Sequence, residues 1–445
     1  MVRSCTHFIK KALIMKSIGI PVLPASMFLF IMAALSQPAV AAETAYWPDF
    51  RGPNADGHSD ATGLPLTWSE EENIVWKVPI HDHGYSTPVV WGDQIWLTTA
   101  TENGKKMYAV CVDLNTGAII HDVEVFTPEE PQPINANNSY ATPSAVVEEG
   151  RVYVDYGTHG TACLDTKTGD VLWRKNEFHC DHMQGPVASP FLYKDLLFVH
   201  YEGGEIQYFV ALNKYTGELV YRVDRPRELY EHLDPLYLCK AYQTPVVVEV
   251  DGQPQLLSNA AVLITAHEPL TGKEIWRVRY RDDSPVSRIV SGHGLHFVNT
   301  GGSPGAAHLM AIREGGKGDV TDTHVVWELT EDMPLLSSPV LVEELLYTIS
   351  DKGMLMCLEA QTGVQVWTKR IRGDFGASLL YGDDKIYIVS RREKTFVIAP
   401  GREFKELAVN KLDGTFGASP VVAGKSLLLR STTHLYRIEE NGDAS

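Results

Sequence analysis

Three features of this 445-residue chain predict an all-β fold, an eight-bladed β-propeller of four-stranded blades. A turn motif returns along the sequence, a proline-led strand precedes the copies, and the last unit is one strand short. Composition agrees. Apolar residues make up 44% and charged residues 21%, as in a folded globular protein. The 36 glycines, 25 prolines, 9 tryptophans and 19 tyrosines favour short strands and tight turns over long helices. The formal charge of −17 disfavours nucleic acid or an anionic membrane as the main partner.

The chain opens with a basic lead, Arg3, Lys10, Lys11 and Lys16. An apolar stretch from Ile18 to Leu35 follows, and then the small-residue run Pro38-Ala39-Val40-Ala41-Ala42. That order predicts an export signal over 1–42 and a periplasmic or secreted product. An uncleaved anchor is the alternative, and the only expected route to a membrane. Removing 1–42 takes away four positive charges and no acid, which leaves −21. Residues 43–73 read as an N-terminal arm, 74–440 as the propeller and 441–445 as a tail.

The turn motif is Val112-Asp113-Leu114-Asn115-Thr116-Gly117. It is echoed at Leu164–Gly169, Leu212–Gly217, Glu268–Gly272 and Leu358–Gly363. Glycine supplies the positive φ of a tight hairpin, and the Asp or Asn bonds local backbone. Four residues past the glycine stand Trp173, Tyr221, Trp276 and Trp367, with His121 in the first copy. With Trp76 and Trp327, these aromatics are expected to dock each blade on its neighbour.

The proline-led strands begin at Pro88, Pro143, Pro190, Pro245, Pro339 and Pro420. Proline lacks an N–H and suits a strand start or edge, here the innermost strand beside a central channel. Aligning Gly92, Gly292, Gly382 and Gly424 adds degenerate copies at Arg288 and Ser378, which makes eight units 39–55 residues apart. Such units mean a propeller. Seven blades would result if one degenerate copy were incomplete. After Pro420 the chain supplies three strands only. Ile74-Val75-Trp76-Lys77-Val78 is the expected fourth, closing the ring and removing its open edges.

The stretch Ala162-Cys163-Leu164-Asp165-Thr166-Lys167-Thr168-Gly169 through Trp173 resembles the tryptophan-docking repeat of quinoprotein alcohol dehydrogenases. Their wider group is the pyrroloquinoline quinone (PQQ)-like repeat propellers. That group includes the propeller subunit of the outer-membrane β-barrel assembly machine. The arm, Trp47-Pro48-Asp49-Phe50-Arg51-Gly52-Pro53-Asn54 to Trp68, looks like that of exported bacterial PQQ-like repeat proteins. The resemblance implies two functions, a binding or scaffold module of the cell envelope or a PQQ-dependent alcohol or sugar dehydrogenase. The second would need a tryptophan floor, a calcium ion held by Glu and Asn, an Asp base and often a Cys-Cys pair. No Cys-Cys pair is present, and no flanking motif carries the Glu, Asn or Asp over.

Cys111, Cys163 and Cys357 share a repeat position that other copies fill with alanine, so they read as small buried core sites. Cys180 and Cys239 lie in loops of one propeller face, where a disulfide between them is an open expectation. The same face should carry the other connections between blades. There stand His81, His83, Asn137, His179, Asp181, His182, His232, Arg281, Arg372 and Asp374, the candidate ligand residues. No spacing among them matches a zinc or EF-hand pattern, and no metal site is assigned. The expected occupant is an envelope protein or a small molecule at the channel mouth of a monomer. Arg391-Arg392-Glu393-Lys394 stands out as a basic cluster on an acidic chain.

Overall fold

Eight sheets follow one another along the chain, each a blade whose strands A to D run from the channel outward. The computed structural model describes residues 45–440 other than 232, 234, 235 and 302–306. The expected signal and tail lie outside the described residues. Blade 1 is made of Val89–Trp91, Gln94–Ala100, Met107–Asp113 and Ile119–Phe126. Blades 2 to 7 span 146–175, 191–224, 246–279, 290–329, 340–370 and 380–415. Blade 8 combines Val421–Ala423, Ser426–Arg430 and His434–Ile438 with Ile74–Pro79 as its outer strand. That strand pairs antiparallel with His434–Ile438, Trp76 opposite Arg437 and Val78 opposite Leu435. The N-terminal strand therefore completes the last blade. Thr321–His324 is the one α-helix among the described residues, and no helix there is long and apolar enough to cross a membrane.

The middle strands of each blade are buried on both faces, and the outer strand alternates exposed and half-buried residues. Aromatic docking follows directly. The Trp76 ring lies against Gly117 of blade 1 and its Nε1 donates to Leu114 O at 2.8 Å. Trp173 repeats this on Gly217 and Lys214 O, and Trp327 on Gly363 and Ala360 O. Tyr221 packs on Gly272 and bonds Pro269 O, and His121 faces Gly169. Trp367 donates to Gly401 O of blade 7. Gly117, Gly169, Gly217, Gly272 and Gly363 have positive φ near 70°, and a Cβ there would strike the incoming ring, so the turn needs glycine twice over. Trp276 departs from the pattern. Blade 5 lacks the turn motif, so Trp276 bonds Gln255 of its own blade and stacks on His296 of blade 5.

The pairing corrects the register of three copies. Val290 opposite Phe297 and Leu380 opposite Tyr387 match Val89 opposite Trp96. Arg288 and Ser378 thus stand level with Thr87, one residue before the proline place. Val146 opposite Tyr153 likewise puts Ser144, not Thr142, at the Thr87 level. In the blade 2 copy Pro143 stands two residues before the usual proline place. For Arg288 and Ser378 the cause is the glycine used for alignment. Gly92 lies in the turn after strand A, whereas Gly292 and Gly382 end the strand itself.

Candidate functional site

A belt of hydroxyls rings the channel at this corrected level. Each residue donates its backbone N–H to the side-chain oxygen of the next blade. Thr87 donates to Ser144, Ser144 to Ser189 and Ser189 to Thr244. Arg288 donates to Ser338, Ser338 to Ser378, Ser378 to Ser419 and Ser419 to Thr87. The distances are 2.9–3.1 Å. The belt satisfies inner-strand N–H groups that have no further strand to pair with. Its one break is at Arg288, which carries a guanidinium where the others carry a hydroxyl.

The N-terminal arm uses that break. Tyr46–Trp47 adds an antiparallel strand to the inner edge of blade 1, and His58–Ser59 a parallel one to blade 7. Between them the arm crosses the channel. Pro48 O accepts from Val147 N of blade 2. Asp49 is paired with Arg288 at 3.0 Å, and Arg288 also bonds Phe50 O and Pro245 O. Arg51 donates to Leu379 O and Pro339 O of blades 7 and 6. Arg51, Asp49 and Arg288 are all buried. Burial pulls the Arg51 guanidinium down to about 9, still charged at neutral pH. Trp68 then stacks on Tyr387, and its backbone N–H donates to Asn410 Oδ1.

Above the arm the channel opens into a cavity of about 280 Å³. Every one of the eight connections between blades contributes to it: Tyr85, Asn137, Gln184, Tyr242, Val286, Leu336, Gly376 and Gly417. Belt residues Thr87, Ser144, Ser189, Thr244, Ser378 and Ser419 line its inner wall, and Phe50 of the arm reaches it. Arg391, from the B-to-C turn of blade 7, brings the only charge in the lining among the described residues. Its guanidinium packs beside Gly376, where a Cβ would come within 2.9 Å, and makes no ion pair among the described residues. The lining is otherwise amides, hydroxyls, aromatic rings and a few aliphatic side chains. Such a wall suits hydrogen bonding to a polar or anionic group.

Of the ten candidate ligand residues named from sequence, Asn137 alone lines this cavity among the described residues. His83 packs edge-on to Tyr85 just outside it. His81 is tied to Asp82 and Asp122. His179 lies in a separate polar cleft with His159, Arg174 and Glu130. Asp181 caps its own turn by accepting from Met183 N. His182 is buried and accepts from Thr158 N, and burial holds its pKa down at about 4. Arg281 is exposed, as are Arg372 and Asp374 beside the mouth. His232 lies outside the described residues. Tyr85, Gln184, Tyr242 and the belt were missed, because only the ring geometry makes them converge.

The expected disulfide is not formed. Cys180 and Cys239 are free thiols, as are Cys111, Cys163 and Cys357. The two loop cysteines belong to different apolar clusters, Cys180 with Phe178 and Tyr201, Cys239 with Tyr230 and Val262. Burial pushes the Cys180 thiol up, so it is no nucleophile at neutral pH. A buried polar chain in blades 3 and 4 is equally structural. Arg225 pairs with Glu202 at 2.8 Å and bonds Thr265 and Ser258, with His200 against Ser258. His200 and His267, pulled down to about 3 by burial, stay neutral there.

Among the described residues no group of His, Cys, Asp and Glu could hold a metal ion. No Asp, Glu or Trp among the described residues lines the cavity. Its described wall therefore offers neither the carboxylates for calcium nor an indole floor for a quinone, and those residues do not fit PQQ with calcium.

A family model described as outer membrane protein assembly factor BamB matches residues 110–290 and 260–416. The chain belongs to this BamB-like family. No curated protein matches it by sequence. Among solved structures, BamB from Moraxella catarrhalis is similar over 82% of this chain and 99% of its own, at 12% identity and TM-score 0.55. The quinohemoprotein alcohol dehydrogenase of Comamonas testosteroni is similar over 92% of this chain and 82% of its own, at 12% identity and TM-score 0.65. A europium-containing methanol dehydrogenase is similar over 88% of this chain and 91% of its own, at 12% identity and TM-score 0.53. Likeness at this identity speaks for the propeller fold, which both kinds of relative share.

Proposed function

We propose that this protein is an exported binding and scaffold module of the cell envelope, working as a monomer and holding a partner at the channel mouth. One observation carries the reading. Eight connections converge on a cavity walled by amides, hydroxyls and a single arginine, with its inner end closed by the chain's own arm. Such a blind, polar mouth is built to hold a group rather than to pass one. The signal-like N-terminus and the BamB-like family support an envelope location. The dehydrogenase reading has the fold in its favour but lacks carboxylate and indole in the wall.

A photo-crosslinking residue at Asn137, in protein incubated with envelope extract, tests the proposal. A discrete adduct is expected, weakened in Arg391→Ala. The same probe at Lys167, in a C-to-D turn on the opposite face, should give none. No adduct at Asn137, or equal adducts from both faces, would overturn it.

A further inference from the structure

We infer that the blade 6–7 side of the mouth docks an acidic polypeptide segment of the partner, an inference that rests on the mouth-binding reading above. Three loops there are stitched into one ledge by backbone hydrogen bonds. Ile371 N donates to Gly353 O, Phe375 N to Asp351 O, and Arg391 N to Asp374 O. The ledge presents Lys352, Arg372, Arg391, Arg392 and Lys394, with Lys411 on the next strand. None of these six makes an ion pair among the described residues. Four acids accompany them. Asp351 is turned inward to accept from Leu335 N, and Asp374, Glu393 and, two residues past Lys411, Asp413 are exposed. Six cations against four acids leave +2 on a chain whose net charge is −17.

Two details point to an anionic occupant. Lys394 and Lys411 stand directly opposite each other on neighbouring strands. Like charges in that position destabilise a sheet unless a counter-charge lies between them. Arg391 continues the ledge into the cavity, so an acidic side chain there would meet a guanidinium in a wall that elsewhere carries amide donors. An extended acidic segment laid along the ledge would complement both. An anionic membrane is the weaker occupant, because the rest of this strongly acidic protein would be repelled from it.

Anisotropy of fluorescein-labelled oligoglutamate, titrated with the full protein at low and high salt, tests this. Binding that falls with salt is expected. The triple variant R392E/K394E/K411E should bind roughly tenfold more weakly. A charge-matched control on the opposite face, K167E/K273E/K317E, should bind like wild type. Equal weakening in both would reduce the effect to net charge and overturn the inference. Binding to phosphatidylglycerol vesicles but not to the peptide would overturn it in favour of lipid. Lys411→Gln separates function from folding: it should raise the melting temperature of the free protein and weaken peptide binding, whereas a merely structural lysine would lower the first. Failure to bind the peptide, with the Asn137 adduct still formed, would refute the acidic partner and leave mouth binding standing.

Discussion

Replacing Arg288 by methionine is expected to destabilise the protein by about 3–5 kcal/mol and to release the N-terminal arm from the channel. Methionine keeps most of the buried volume. It removes the partner of Asp49 and strands the carbonyls of Phe50 and Pro245. A buried pair broken on one side leaves an uncompensated charge, and that cost exceeds the worth of the intact pair. Denaturant unfolding gives the stability, and limited proteolysis over 45–68 reports the arm. Asp49→Asn combined with Arg288→Met should recover part of the loss, because the stranded carboxylate is gone. A loss under about 1 kcal/mol, the range of an ordinary surface change, with the arm still protected, would show that the pair does not hold the plug.

Trp76→Ala should cost about 3 kcal/mol, the lower end for a large-to-small aromatic change because the ring is half-buried. Its effect should be concentrated at the seam of the ring. Trp76 sits on the strand that completes blade 8 and docks on blade 1, so its loss removes the Gly117 contact and the bond to Leu114 O together. Hydrogen exchange should accelerate in Ile74–Pro79 and His434–Ile438 before the other blades. Trp173→Ala removes the same kind of contact inside the ring and should loosen blades 2 and 3 instead. Uniform exchange across all blades in both variants would contradict a ring closed by this strand.

The propeller was legible because five turns repeat local chemistry, and the count of eight because proline and glycine mark the inner strands. An Asp or Asn, a Thr and a positive-φ Gly mark a hairpin, and an aromatic four residues on docks it. The closing strand was legible for the same reason, since Trp76 stands where Trp173 and Trp367 stand in their blades. The degenerate copies slipped by one residue because glycine at a strand end and glycine in the following turn look alike in sequence. The plug was hidden altogether. Asp49 and Arg288 lie 239 residues apart, and the arm has no periodicity to announce its path. At the mouth, histidines and acids drew notice as chemically rich residues, yet several are tied to neighbours or buried as structural groups. Arg391 was visible only as part of a basic run, and its place in the cavity depends on Gly376 leaving room beside it.

A mouth that holds a partner, as proposed, is not the seat of quinone chemistry. The most direct test of that reading is reconstitution of the protein with PQQ and calcium, followed by thermal melting, visible absorption and dye reduction with alcohols and sugars. The account predicts no shift in melting temperature, no bound-quinone spectrum and no reduction. A calcium-dependent rise in melting temperature together with alcohol-dependent dye reduction, abolished by substitution in the mouth at Arg391 or Asn137, would contradict it.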